Sequence, residues 1–352
     1  MIKDQVQKQE AGDGSTNLQG NSIVIHQGIS YADAKEIALD VYKANYLILS
    51  EDAAKLAVTR AEELTDNFLN ELKSRNEEAI DTMSDPGMLM ALYSAQKEYA
   101  RTGDADLQKL LVDILVERAS ARSRDIKQIV LDESLVIAPK LTPEQYDVLT
   151  LSWMLTKTKV NTIGNLETFE NCLDKYILPF VGTLTDSSSC YEHLQYLGCG
   201  DIVQLGRWGK IEVLFRDRYP GVFCKGLKEE DIQKEFEDLS SLRGMIVPCL
   251  HDKSTFQVAA MDVNFIEQEV DKRGVDKMFL PKLKKAFEKS RMNENEVREY
   301  ILNIRPSLKI LFEIWEKTPL QRLTLTTVGY AIAQANFRRR TGEQVDLSIW
   351  VK

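Results

Sequence analysis

The side chains equipped for chemistry are few and scattered. Three histidines occur, His26, His193 and His251. A His-dependent hydrolase holds one of them beside a nucleophile and an orienting acid, and no nucleophile-elbow motif is present. Cys190, His193 and Cys199, followed by Cys224 and Cys249, offer zinc ligands by residue type. Their C-x2-H-x5-C spacing lacks paired C-x2-C knuckles, so they read as buried thiols and no metal is expected. Neither a Walker-type phosphate loop nor a dinucleotide-binding glycine fingerprint appears, and no cofactor is expected. The sharpest charge feature is Phe337-Arg338-Arg339-Arg340, at the end of an apolar helix face formed by Val328, Ala331, Ile332 and Ala335. A helix dipole favours cations there, and Gly342 ends the helix. The alternative use of Arg338, Arg339 and Arg340 is contact with nucleic-acid phosphates or an acidic protein surface.

Composition narrows the classes further. The chain has 352 residues, enough for two or three domains, with 43% hydrophobic and 28% charged residues. Its 45 basic and 54 acidic residues give a formal net charge of −9, which argues against general nucleic-acid binding by the whole molecule. No apolar run approaches the ~20 residues that span a bilayer, and the first ten residues are unlike a signal peptide. Five cysteines without regular spacing fit reduced thiols, so a cytoplasmic protein is expected.

The elements that must carry these residues read as mainly α. Residues 1–28 form a polar tail and a β assembly segment. Leu18, Gln19, Asn21, Ile23, Val24 and Ile25 lie in an Asn/Gln/Gly-rich stretch with a β-branched centre, divided by a Gly20-Asn21 turn signal. Such a strand cannot pair both of its edges within its own segment, so it calls for a sheet or for copies of itself. Sequence alone leaves a hairpin and an intermolecular arc equally open.

Residues 29–160 predict a helical domain. Ser30-Tyr-Ala-Asp33 and Ser50-Glu-Asp52 have the spacing of helix N-termini. Ala57, Ala61, Leu64, Phe68 and Leu72 make one continuous stripe. It serves either the domain's own core or a short coiled coil between subunits. Thr142-Pro143-Glu-Gln145 marks a further helix start. Residues 161–270 predict a mixed α+β domain, with Lys228–Glu237 helical and short strands near 244–250 and 255–261. Residues 271–352 predict helices over 276–305 and 307–317, then a strand, helix and strand in winged-helix-like order.

Taken together, Ser15-Thr-Asn-Leu-Gln19, Tyr31-Ala-Asp-Ala-Lys-Glu-Ile-Ala-Leu-Asp-Val41, Gln96-Lys-Glu-Tyr-Ala-Arg-Thr-Gly103, Tyr219-Pro-Gly-Val-Phe223 and Asp346-Leu-Ser-Ile-Trp350 resemble a bacterial family. That family is uncharacterised and occurs on mobile elements and near anti-phage defence genes. The likeness covers essentially the whole chain and supplies no catalytic residue. The N-terminal strand is also similar to short polar β-motifs that assemble immune signalling proteins by stacking. The resemblance implies a self-assembling, homo-oligomeric protein of antiviral defence with a phage-derived protein as trigger. Two alternatives stand beside it: a nucleic-acid-binding regulator using the C-terminal unit, and an effector that disrupts membranes after a conformational change.

Overall fold

Polar caps set the helix boundaries. Asp33 and Ser30 bond reciprocally at the start of α1 (Tyr31–Asn45), 3.1 Å and 3.2 Å. After α2 (Glu51–Asn76), Asp85 accepts the Met88 N–H at 2.9 Å and opens α3 (Pro86–Thr102). Gly103, at φ 65°, ends α3 in the left-handed conformation glycine tolerates. Asp104 and Asp125 cap α4 (Ala105–Ser120) and α5 (Ile126–Ile137) in the same way. Gln145 accepts the Thr142 N–H at 3.1 Å and starts α6 (Pro143–Lys157). This is a computed structural model, and it describes residues 29–45, 51–121, 123–236 and 238–351. Leu18, Gln19, Asn21, Ile23, Val24, Ile25, His26 and the Ser50 cap lie outside the described residues.

Beyond α6 the elements shorten. They run α7 (Leu166–Tyr176), α8 (Ser188–Tyr196), β1 (Gly200–Ile202), α9 (Ile211–Arg218), α10 (Glu229–Glu235), β2 (Ile246–Pro248) and β3 (Phe256–Val258). Then follow α11 (Ile266–Arg273), α12 (Leu280–Ser290), α13 (Glu294–Ile304), α14 (Lys309–Lys317), β4 (Leu323–Leu325) and α15 (Thr327–Thr341). The protein is mainly helical. Its described strands form two antiparallel pairs: β1 with β4, Gly200 opposite Leu325, and β2 with β3, Ile246 opposite Val258.

One large apolar core runs from Ala34 to Val351, and a smaller one gathers residues of the 224–287 stretch. The large core closes through α15, which packs on α4, α5 and α6. Almost the whole length of α15 from Val328 to Phe337 is buried. The polar side chains this drags inside are matched: Asn336 Nδ2 donates to Asp147 Oδ1 at 2.8 Å and to Thr150 Oγ1 at 2.9 Å. Thr183 Oγ1 donates to Asp147 Oδ2 at 2.6 Å. Burial pushes the Asp147 carboxyl above its usual range, and the Thr183 and Asn336 hydrogen bonds pull it back.

The α2 stripe meets partners within its own chain. Ala57, Ala61, Leu64, Phe68 and Leu72 are all buried, covered by α1, α3 and α4. The coiled-coil-like seam is thus filled internally, and these side chains are not on the surface of the folded chain.

Two expectations change in detail. The helix expected over 276–305 is broken at Arg291–Asn293, where Asn293 and Glu296 form a second reciprocal cap, 2.7 Å and 3.0 Å. The strand expected after α15 is a 3-10 turn, Leu347–Ile349, because Asp346 accepts the Ser348 N–H at 2.9 Å. Leu347 and Val351 are buried while Ile349 between them is exposed, the pattern of a helical turn, since a strand would bury all three on one face. Trp350 packs edge-on to Trp153 at 5.1 Å. The winged-helix-like end therefore keeps its first strand and helix only, and that strand pairs with the distant β1.

Gly329 lets α15 reach β1. The Cys199 carbonyl accepts the Thr326 N–H at 3.1 Å, and a Cβ at position 329 would lie 1.9 Å from that oxygen. Gly329→Ala is expected to lower stability by about 1–3 kcal/mol despite alanine's better helix propensity. Urea unfolding checks this, and an unchanged midpoint would contradict the close approach.

His251 ties the smaller core to the larger one. Its Nε2–H donates to the Val222 carbonyl at 2.8 Å, and the ring stands edge-on to Tyr300 at 4.6 Å. Burial lowers its pKa from 6.5, partly opposed by the Val222 contact. The folded chain therefore takes up this proton less readily than the unfolded chain, so the contribution is present above 6.5 and is lost as pH falls through the lowered value. Melting temperature should decline between about pH 7 and pH 5, and His251→Gln should flatten the decline. Parallel melting curves for both proteins across that range would exclude this role.

A charged cleft as candidate functional site

The periodicity that buries Leu64, Phe68 and Leu72 turns the neighbouring polar positions of α2 outward. Asn67, Asn70, Glu71, Ser74 and Arg75 line one wall of a cleft of about 600 Å³. Gln108, Lys109, Val112 and Asp113, one helical turn apart on α4, make a second wall. Arg338, Arg339 and Gly342 at the end of α15 close the third.

Charges alternate through this junction. Arg75 Nε donates to Glu71 Oε2 at 2.8 Å, and Arg75 Nη1 lies 2.6 Å from Asp113 Oδ1. Asp113 Oδ1 is in turn 3.5 Å from Arg338 Nε. Arg338 Nη1 sits 3.9 Å from Glu117 Oε1, whose other oxygen is 3.3 Å from Lys127 Nζ. The alignment is imperfect: Arg75 Nη1 and Asp113 Oδ1 are buried, and neither makes a properly directed hydrogen bond. Burial pushes the Asp113 carboxyl up, and Arg75 and then Arg338 pull it down. Burial also lowers the Arg338 pKa, and the like charge of Arg75 lowers it further. The cleft thus holds ionic groups at a desolvation cost that their mutual contacts do not fully offset.

Three side chains are under-partnered. The Arg338 guanidinium, 15% exposed, makes no hydrogen bond among the described residues. Lys109 pairs with no carboxylate among them. Gln108 Nε2 is buried without an acceptor, in a residue 4% exposed.

The sequence-marked arginines divide at this point. Arg338 and Arg339 reach the cleft, whereas Arg340 bonds the Pro179 carbonyl and lies over the Phe180 ring, 5.6 Å away. Arg339 is 5% exposed, with Nη1 2.5 Å from Asp106 Oδ1 and Nη2 donating to Asn336 Oδ1 at 2.8 Å. The three therefore do not present one basic patch. Gln145, His193 and Cys190 do meet, with Gln145 Nε2 donating to the Cys190 carbonyl at 2.8 Å and lying 3.0 Å from His193 Nδ1. Burial pushes the Cys172 and Cys199 thiols up to about 12 and Cys224 up to about 11, so they are poor nucleophiles. Among the described residues no three His, Cys, Asp or Glu side chains gather as metal ligands.

Sequence reasoning missed Arg75, Gln108, Lys109 and Asp113. One signal was available: Asp113 is a lone carboxylate inside Leu110-Leu-Val-Asp113-Ile-Leu-Val116, where an unpaired charge is costly.

Fold and cleft together define a mainly helical protein with a polar, ion-paired cleft closed by its last long helix. The chain belongs to an uncharacterised protein family, whose model matches residues 28–351. No curated protein and no solved structure matches it.

An unsatisfied buried amide is worth replacing. Gln108→Leu is expected to raise stability by about 1 kcal/mol, since a desolvated donor without a partner gives way to an apolar group of similar size. Chemical unfolding measures the change, and a loss of that size would show that Gln108 is satisfied in the folded chain.

Proposed function

We propose that this protein is a self-assembling protein of the bacterial cytosol, a sensor or effector of antiviral defence acting through homo-oligomerisation, with a phage-derived protein as trigger. Copies join through Leu18, Gln19, Asn21, Ile23, Val24 and Ile25, and the folded body beyond carries the binding cleft.

The joint between segment and body carries this reading. Residues 18–25 precede the family-matched body, which starts at residue 28. Two residues after it, Ser30 and Asp33 cap α1, and Ile29 and Tyr31 pack on the core. Lys35 Nζ then holds Asp66 of α2 at 2.7 Å. A β-branched segment so close in sequence to a docked helix would, if it pairs as a strand, pull whole bodies together. The stripe on α2 no longer supports assembly, because the chain fills it.

The alternatives have less behind them. Arg339 and Arg340 are tied within the chain, which leaves Arg338 alone for a phosphate backbone. No described helix is long and apolar enough to cross a membrane.

Light scattering tests the proposal on the full-length chain. The native protein should show a mass above that of the 40.1 kDa monomer, and Val24→Asp with Ile25→Asp should return it to the monomer. A native protein that stays monomeric up to about 100 μM, well above the Kd of a stable complex, would sink the idea.

A further inference from the structure

We propose that the cleft between α2, α4 and the end of α15 binds a small phosphorylated molecule, with Arg338, Lys109 and Arg75 holding its phosphate group. This rests on the reading of the cleft as a binding site and adds the chemistry of what enters it.

The argument starts from unused donors. A guanidinium has five N–H donors in a fixed fork that matches two oxygens of one anion. Arg338 commits none of its five to a hydrogen bond within the described residues, its nearest carboxylate oxygens being 3.5 Å and 3.9 Å away. Nevertheless it is kept largely out of solvent, with a second guanidinium close enough to disfavour its charge. A group held this way gains most from an anion that completes its coordination.

Lys109, exposed on the facing wall, adds a cation that no carboxylate among the described residues pairs with. Arg75 donates Nε to Glu71 and holds Nη1 2.6 Å from Asp113 without a directed hydrogen bond, and its Nη2 makes none among the described residues. Three cations converging from three helices suit a phosphate dianion better than a carboxylate monoanion. Glu71 and Asp113 also line the site, but each faces Arg75, and they shape the anion's position by repulsion from that side.

The remaining wall sets the rest of the ligand. Asn67, Asn70 and Gln108 present amides, and Gln108 Nε2 is a buried donor with no acceptor in the chain. An orphan among the described residues is costly unless water or a bound molecule supplies the acceptor. The cleft's volume, about 600 Å³, is that of a small-molecule site, and the internal pairing of Arg339 and Arg340 leaves no basic track for a long strand.

Titration calorimetry on the full-length protein at low salt tests this with three probes: inorganic phosphate, adenosine 5′-monophosphate and adenosine. Phosphate and the monophosphate should bind, adenosine should not, and Lys109→Ala and Arg338→Lys should each weaken binding by about tenfold or more. Equal affinity for the first two would assign the site to the phosphate group itself. Tighter binding of the monophosphate would bring the amide wall into play. No binding of either at about 5 mM, equal binding of adenosine, or unchanged affinity in the exposed Lys109→Ala protein would overturn the proposal. Assembly is read separately by scattering, so a monomer that binds phosphate keeps this inference while losing the assembly reading.

Discussion

A helix buried nearly all round must bring its own answers for every polar atom it carries. That constraint on α15 organises the molecule. Its apolar residues fill the gap between α4, α5 and α6, and Asn336 would be intolerable there without Asp147 and Thr150. A single matched polar cluster inside an apolar interface penalises any slip of the helix along its axis, because a shift strands several partners at once. The same rigid seating delivers Arg338 and Arg339 to the cleft at the helix end. Core and cleft are therefore two ends of one packing problem.

Much of this was legible from sequence, and the division is instructive. The caps at Ser30 and Thr142 are local, set between side chains and N–H groups three residues apart, so they could be read. The stripe on α2 was equally plain as a pattern, yet a pattern does not say what covers it, and the cover proved to be α1, α3 and α4. The carboxylates that meet the arginines, Asp106 and Asp113, lie more than two hundred residues before them and were invisible as partners. The cleft was unreadable for that reason: its three walls come from distant stretches of chain. At the C-terminal end the sequence was read as a strand, but the Asp346 cap and the indole of Trp350 against Trp153 favoured a turn. Local hydrogen bonding and aromatic burial outweighed β propensity there.

Helix α2 joins the two features that matter. Asp66 receives Lys35 and Tyr31 from α1, and the next residue, Asn67, already lines the cleft. The element that anchors the start of the body thus also forms a wall of the cleft. No hinge separates them within that helix. Whatever seats or unseats α1 acts on the same rod that lines the cleft.

The late arrival of α15 has a consequence for how the chain is made. At about 5–20 residues per second, a ribosome that has finished α6 needs roughly 10–40 s more to deliver the helix that closes the core. Throughout that interval the first six helices lack their cover, and Asp147 lacks its amide partner. The residues before α1 have by then long left the exit tunnel. The cover arrives only once translation has passed residue 341, so the order of synthesis makes closure of the large core one of the last events of folding.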